Sequence, residues 1–587
     1  MSLETVLDIF FLLAGRGQSP CMLRRTQRGW EPISAEEFAG KVYALSRALD
    51  SWGIARGDRV AILSENRHEW VAVDFASMLS GAVVVPVYTT LTADQVAYIL
   101  RDSGARVIFL STAKHLETVL SISKSTYLEK IVVMDEVNHP QAIKISDLRR
   151  SDAARTDGTR GRDIAPDDLA TIIYTSGTTG ISKGVMLTHA NLAANINHSL
   201  RDFGFGPGLF AVSFLPLSHV TARSVDLGLL YSGVVLAHLP QIDQLAQALA
   251  EVRPHILLSV PRVYEKVHTQ VELNAAKPPK RQLYRWALGV GRAHRSQILA
   301  GETPSSATWK LANRLVFSKV RAGIGGRVEC FISGGAPLGR ELAEWYADIG
   351  IRIFEGYGLT ETSPVVAVNS PVAHRLGSVG KPLGNVEVRI AEDGEILVRG
   401  PSVFHAYWHK PEETRDAFLA DWFKTGDIGR LDEEGFLYVV DRKKDLLKTS
   451  GGKFIAPQPI ESSFKHHSWV AEAVVVGDKR KFPAVLIVPN FGVVEAWARG
   501  ETLPFRSREE LLAREEVQSR FAGIVERVNR DLAQFEKLKR FKVLSSELSP
   551  ANGTLTASLK VRRRAIEERF QSEIEEMYAE AEAASRA

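Results

Sequence analysis

The sequence predicts an α/β protein: a large, multi-subdomain amino-terminal domain with parallel-rich sheets and helices, then a small α+β carboxy-terminal domain. Three observations predict it. The chain has 587 residues, several times the roughly 100–200 of one domain. Its first third alternates continuous apolar strand patterns with amphipathic helix patterns, which marks a largely parallel sheet covered on both faces. After a charged knot, Asp441-Arg442-Lys443-Lys444-Asp445, the chain restarts with its own apolar strands and a final helix. The division is therefore 1–440, a hinge at 441–445, and 446–587.

The elements follow in order. MSLETVLDIFFLLAGRG carries Glu4 and Asp8 where a signal peptide would be basic, so it reads as an amphipathic helix packed on the body, with peripheral membrane contact as the alternative. Ser34 and Glu37 form a capping box ahead of Phe38, Val42, Leu45, Leu49 and Trp52, and Gly53 ends that helix. Arg59–Leu63 reads as a strand, Arg67–Ser80 as a helix, and Val83–Val87 and Val107–Leu110 as buried strands. Thr92 and Gln95 make a second capping box. Residues 151–168 read as an exposed loop, and 377–440 as short strands punctuated by glycine. In the tail, Ala473–Val476 and Ala484–Val488 are apolar strands. Ile566, Phe570, Ile574 and Tyr578 recur every four residues along one closing helix.

Charge and composition exclude more than they assign. A surplus of +4, from 73 basic and 69 acidic residues, is too small to argue for nucleic acid. No stretch approaches 18 continuous apolar residues, so no membrane span is expected. Two cysteines, Cys21 and Cys330, argue against a disulfide scaffold and fit a cytoplasmic setting. Residues 270–315 are helical and rich in Lys277, Lys280, Arg281, Arg285, Arg292 and Arg295. That pattern suits a solvated face, or else an anionic membrane surface or the phosphates of a ligand.

The chemistry is concentrated in short motifs. A strand pattern, Ala170–Tyr174, runs into Thr175-Ser176-Gly177-Thr178-Thr179-Gly180-Ile181-Ser182-Lys183-Gly184. Glycines let backbone N–H groups approach a phosphate, hydroxyls add donors and a lysine adds charge. It is not a Walker A loop, because Lys183 precedes Gly184 and not Ser or Thr. Further along come Ser213-Phe214-Leu215-Pro216-Leu217-Ser218-His219, Ser333-Gly334-Gly335-Ala336-Pro337, Glu355-Gly356-Tyr357-Gly358-Leu359-Thr360-Glu361 and Trp422-Phe423-Lys424-Thr425-Gly426-Asp427. Taken alone, His219 would be a satisfied core histidine, Asp427 a turn residue and the Tyr-Gly-x-Thr-Glu run an ordinary turn. The last motif is Asn552-Gly553-Thr554-Leu555-Thr556-Ala557-Ser558-Leu559-Lys560, ahead of Arg562, Arg563 and Arg564.

Together and in this order, the motifs resemble those of the adenylate-forming superfamily, which holds acyl-CoA synthetases, luciferases and peptide-synthetase adenylation domains. The resemblance covers roughly residues 20–580. It is closest to the long-chain fatty acid–CoA ligase branch, through Leu258-Ser259-Val260-Pro261-Arg262-Val263-Tyr264 and the run from Asp441 to Lys453. It implies the luciferase-like fold, with a carboxy-terminal domain that moves. The cofactors it implies are ATP, Mg²⁺ and coenzyme A. In such a site Thr175, Ser176, Gly177, Thr178, Thr179, Gly180 and Lys183 hold phosphate. Gly335, Ala336, Glu355, Gly356, Tyr357 and Gly358 surround adenine, with Tyr357 stacked on it. Thr360 contacts phosphate, Glu361 and Thr175 serve magnesium, and Asp427 accepts both ribose hydroxyls with Arg442 nearby. Lys444 is the swivel, and Lys448 with Gly451 and Gly452 belongs to the loop that enters for the thioester step. Lys560, with Glu361 and Lys183, is catalytic in adenylate formation. His219 and Arg223 fall on the acyl pocket, Arg223 where some relatives gate a tunnel.

Two departures stand out. Ser182 replaces a usual proline, which loosens the loop without removing a phosphate contact. Ala222 precedes Arg223 where the branch often has Glu-Arg, which leaves chain-length preference open. The expected function is ATP-dependent activation of a fatty acid to acyl-AMP, then transfer to coenzyme A. Alternatives within enzymes are a fatty acyl-AMP ligase loading a carrier protein, and a medium-chain or aryl acid ligase. A regulatory nucleotide binder on a dead scaffold would be expected to lack Glu361, Asp427 or Lys560. The setting expected is cytoplasmic, with peripheral contact at the inner face of the membrane. Monomer and homodimer both stay open.

Overall fold

The computed structural model describes residues 2–148, 160–175, 182–450, 452–549, 552–556 and 561–586. Its first sheet has seven strands. In spatial order they are Ile143–Lys144, Lys130–Val133, Val107–Leu110, Arg59–Leu63, Val83–Val87, Leu169–Thr175 and Lys183–Thr188. All pair in parallel except the last, which turns back against Leu169–Thr175. Helices cross between the parallel strands, so the central strands are buried on both faces and carry Val, Ile and Leu without alternation.

A nine-stranded sheet lies beside it. Its parallel core is Pro20–Thr26, Val235–His238, Phe210–Ser213, Ile256–Ser259, Cys330–Ser333 and Ile353–Gly358. Its edges are antiparallel: Gly29–Ser34 at one side, Val365–Val368 and Lys381–Pro382 at the other. A five-stranded antiparallel sheet follows, in which Trp422–Leu431 pairs with Glu395–Arg399 and Leu437–Arg442. The tail builds Val470–Val476, Ala484–Pro489 and Phe541–Val543 into a sheet with helices around it. Residues between Leu447 and Tyr578 form a core of their own.

Several local readings meet the structure closely. The amino-terminal helix, Leu7–Ala14, buries Leu7, Ile9, Phe10 and Leu13 in the body. Thr92 and Gln95 form the full capping box. Two readings need correction. Ser34 accepts the Glu37 N–H at 3.1 Å, but the Glu37 carboxylate turns instead to Arg24 and Lys41, which offer charge-assisted bonds at 3.0 and 2.7 Å. The closing helix is two helices, Arg563–Arg569 and Gln571–Arg586, broken at Phe570. Ile566, Phe570, Ile574 and Tyr578 are all still buried. Both pieces face one core.

Arg223 lies in the interior. Its helix, Val220–Ser232, is packed in the interior, and Arg223 is 2% exposed with Asp74 at 1%. Arg223 Nε donates to Asp74 Oδ2 at 2.9 Å and an Nη to Oδ1 at 2.5 Å, with the guanidinium over the Trp70 ring. Burial pushes the Asp74 carboxyl up, and the guanidinium pulls it back. Arg223 is thus a core partner of Asp74. Its substitution by methionine should destabilise the protein by about 3 kcal/mol, because Asp74 would be left buried and unpaired. Pairing that change with Asp74→Leu should recover most of the loss. Thermal unfolding midpoints measure both, and an unchanged midpoint in the single variant would count against the ion pair.

Candidate active site

The motifs meet where strands of the nine-stranded sheet end. Ser259, Ser333 and Glu355 are in register across three parallel strands. The loop after Ser333 begins as Gly334 N–H donates to the Ser259 carbonyl at 3.2 Å. Gly335 takes φ +82°, which glycine adopts without strain, and Gly335 and Ala336 are exposed beside that strand edge. Glu355 is half-buried there and accepts the Leu338 N–H at 3.2 Å. Burial pushes its carboxyl up to about 7.

That shift has a sign. The folded state holds the Glu355 proton more tightly than the unfolded chain, so its stabilising effect is complete below about pH 4.5 and lost as pH rises through 7. Glu355→Gln keeps an acceptor for Leu338 and cannot ionise. The variant should hold its thermal midpoint from pH 5 to 8 while the parent loses on the order of 2 kcal/mol. Parallel pH profiles would remove Glu355 as the cause.

Beyond Glu355 the strand carries Gly356, Tyr357 and Gly358, opposite Val368, Ala367 and Val365. A Cβ on Gly358 would stand 1.9 Å from the Pro364 carbonyl oxygen, so only glycine fits. The Tyr357 hydroxyl donates to Asp427 Oδ2 at 2.6 Å. Asp427 is 3% exposed, and its other oxygen faces Arg442 Nε at 2.8 Å. The antiparallel register sets this pair, since Asp427 lies opposite Arg442 on the neighbouring strand. The three residues form a chain of charge-assisted bonds that ties the two sheets together.

Glu361 stands in the short turn Thr360–Thr362, with Thr360 just before it. Its Oε1 accepts from the Tyr407 hydroxyl at 2.9 Å, and the Lys183 ammonium lies 5.2 Å from the centre of the same ring. Tyr407 therefore joins two motifs 178 residues apart. No motif or periodicity in the sequence marked it. Burial pushes the Glu361 carboxyl up, Tyr407 and Arg442 oppose this, and Asp427 adds to it. A hard divalent cation fits here: it would restore the ionised carboxylate and take most of its oxygens from a triphosphate. Among the described residues no group of three or more His, Cys, Asp or Glu is placed to hold a metal by itself.

Thr175 and Lys183 are opposite each other at the end of an antiparallel pair. Ser176, Gly177, Thr178, Thr179 and Gly180 lie outside the described residues, as do Gly451 and Lys560. His219 caps its helix, Nδ1 accepting the Thr221 N–H at 3.2 Å.

The 441–445 run is anchored on both sides. Lys443 Nζ lies 2.6 Å from Asp393 and 2.8 Å from Glu395, both in the large domain. Asp441, buried and pushed up to about 6 by burial, accepts the Gln458 N–H at 2.9 Å in the first turn of Pro457–Lys465. Lys444 is exposed in the turn Lys443–Asp445. Lys448 lies over the Phe454 ring, on the hairpin whose tight turn holds Gly452 at φ +77°. Arg262 Nη2 to Glu472 Oε2 at 2.5 Å and Glu341 Oε2 to His466 Nδ1 at 3.1 Å join the two domains.

The chain matches two family models. One, AMP-binding enzyme, covers residues 14–408, and the other, AMP-binding enzyme C-terminal domain, covers 444–582. It is 36% identical over 561 residues to a long-chain-fatty-acid–CoA ligase, FadD15, of Mycobacterium bovis, covering 94% of this chain and 92% of that one. It is 32% identical over 584 residues to fatty acyl-CoA synthetase A of Dictyostelium discoideum, covering 93% and 86%. The adenylation domain of a carboxylate reductase from Mycobacterium chelonae superposes with a TM-score of 0.78 at 21% identity, covering 98% of this chain and 91% of that one.

Proposed function

The chain belongs to the AMP-binding enzyme family, and we propose that it is a long-chain fatty acid–CoA ligase that forms AMP. One observation carries the reading into the site. The Tyr357–Asp427–Arg442 chain and the Glu361–Tyr407–Lys183 group are held by electrostatics along one strand end, where a purine, a ribose and a triphosphate would lie in sequence.

The fatty carboxylate attacks the α-phosphorus of ATP, the bond to the β-phosphate oxygen breaks, and acyl-AMP and pyrophosphate result. Both reactants are anionic, so the site must neutralise charge and align the attack. Tyr357 offers a ring face to adenine. Asp427 accepts the ribose hydroxyls, with Arg442 and Tyr357 fixing its rotamer. Lys183, Thr175 and the loop from Ser176 to Gly180 hold the leaving phosphates, with Thr360 beside them. Mg²⁺, held by Glu361 and Thr175 when bound, would offset charge on the departing pyrophosphate. Lys560 bridges carboxylate and nucleotide.

The small domain then turns about Lys444, Lys560 withdraws, and the Gly451–Gly452 hairpin with Lys448 enters. The coenzyme A thiol attacks the acyl carbonyl, AMP leaves with the bonding electrons, and the thiol proton passes to solvent. Both thiols of the protein are buried and unpaired, Cys21 with its thiol pushed up to about 12, as suits a reducing compartment. No helix of the described residues is long and apolar enough to cross a membrane.

ATP–pyrophosphate exchange stimulated by fatty acid tests the first half. AMP release with coenzyme A against a holo carrier protein, over acids of graded length, tests the second. Exchange driven by long acids and release driven by free coenzyme A are expected. Release only with the carrier would overturn the acceptor, and exchange only with aryl acids would overturn the substrate.

A further inference from the structure

The chain's positive surplus is not spread evenly. Residues 277–327 contain eleven Lys and Arg but only one acidic residue, Glu302, so the rest of the chain carries more acidic than basic residues. The centre of this segment is the 20-residue helix Lys280–Leu299. Its inner stripe, Tyr284, Ala287, Gly291 and Ile298, is buried against the large domain. There Arg295 is neutralised by Asp348 and Glu344 at 2.7 and 2.6 Å. The outer side differs. Lys277, Lys280, Arg281 and Arg285 are exposed, and no ion pair among the described residues holds them.

Large apolar side chains stand among these cations. Leu273, Leu283 and Trp286 are 45%, 39% and 39% exposed, and Leu311, on a helix packed against this one, is 49% exposed. These are four of the twelve large apolar side chains exposed among the described residues, gathered within 39 positions of the sequence. Leu273, Arg281 and Arg285 line one open cavity of about 430 Å³, with Glu272 also on it, so these two cations and Leu273 share a surface.

A merely solvated face would not gather Trp and Leu between unpaired cations. A phosphodiester backbone would satisfy the cations but leave Leu273, Leu283 and Trp286 in water. An anionic bilayer satisfies both: headgroups take Lys and Arg, while Leu and Trp enter the boundary with the acyl chains. We propose that the outer face of Lys280–Leu299, with Leu273, docks the enzyme on an anionic lipid surface, where its fatty acid substrate is dissolved. The docking rests on the substrate class proposed above. It places Trp286 in the interface and the helix parallel to the membrane plane.

The full-length protein is tested by co-sedimentation with vesicles of phosphatidylcholine, with and without 30% phosphatidylglycerol (about a third of the lipid, as a typical anionic surface). Binding is expected only to the anionic vesicles, and it should fall as salt rises. Lys280→Glu/Arg281→Glu/Arg285→Glu should lower partitioning by at least about tenfold. Leu283→Ser/Trp286→Ser should lower it too, with the Trp286 emission shift lost. Both variants should keep parental activity on fatty acid offered from solution, and lose it on fatty acid offered in vesicles. That solution assay also separates the two readings: absence of turnover in every format defeats the proposed function, while vesicle binding is read independently. Equal binding to neutral and anionic vesicles, or charge-reversed protein that binds like the parent, would overturn the docking face. So would preference for an RNA or an acidic polypeptide over the anionic vesicles.

Discussion

Replacing Lys560 with alanine should reduce acyl-adenylate formation by at least about 100-fold and leave thioester formation from supplied acyl-adenylate near the parental rate. The expected size follows from the charges that meet. A carboxylate must approach a polyphosphate, and a single cation lost from a water-excluded site of this kind typically costs two to three decades in rate. The selectivity follows from the two halves of the reaction. Only the first joins two anions, whereas the second joins a thiol to a mixed anhydride. The nearest described residues on either side of Lys560 are paired. Leu555 bridges Val561, and the Arg562 N–H donates to the Thr554 carbonyl at 2.9 Å. ATP–pyrophosphate exchange measures the first half, and AMP release from synthetic acyl-adenylate with coenzyme A measures the second. Equal loss of both would defeat the assignment of Lys560 to one conformation.

What the sequence made legible was local. Val83–Val87 and Val107–Leu110 were readable to the residue because buried parallel strands need unbroken apolar runs. The Thr92 box was readable because its two partners are three residues apart. Motif order brought Tyr357, Asp427 and Arg442 under one heading, but not their geometry. Tyr357 and Asp427 are 70 residues apart and meet only once the nine-stranded and five-stranded sheets are both built. Tyr407 left no signal, since one aromatic in a loop has no period to betray it. The Arg223–Asp74 pair escaped for a related reason: the partners are 149 residues apart, and no local pattern says that a charge will be buried. The break at Phe570 escaped because the four-residue period continues across it.

Asp427 makes the sharpest test of the nucleotide side. Its substitution by alanine should raise KM for ATP by about 100-fold and change KM for the fatty acid by less than about threefold. Two carboxylate oxygens carry four acceptor positions. One oxygen faces Tyr357 and the other Arg442, so both are oriented to accept the two ribose hydroxyls. Hydrogen bonds to a charged group are worth about 1.5–3 kcal/mol each, so losing both accounts for two decades or more. A second effect has the same sign. Alanine frees the Tyr357 hydroxyl and the Arg442 guanidinium, so the ring proposed to stack on adenine loses the bond that orients it. Asp427→Asn separates the two effects. An amide still accepts from Tyr357 and one hydroxyl but meets Arg442 without charge, so its KM for ATP should fall between parent and alanine. The fatty acid is expected to bind away from this edge, and its KM is therefore the internal control. An ATP dependence unchanged in the alanine variant would remove Asp427 from the ribose site. A matched rise in both constants would instead assign it to holding the sheet.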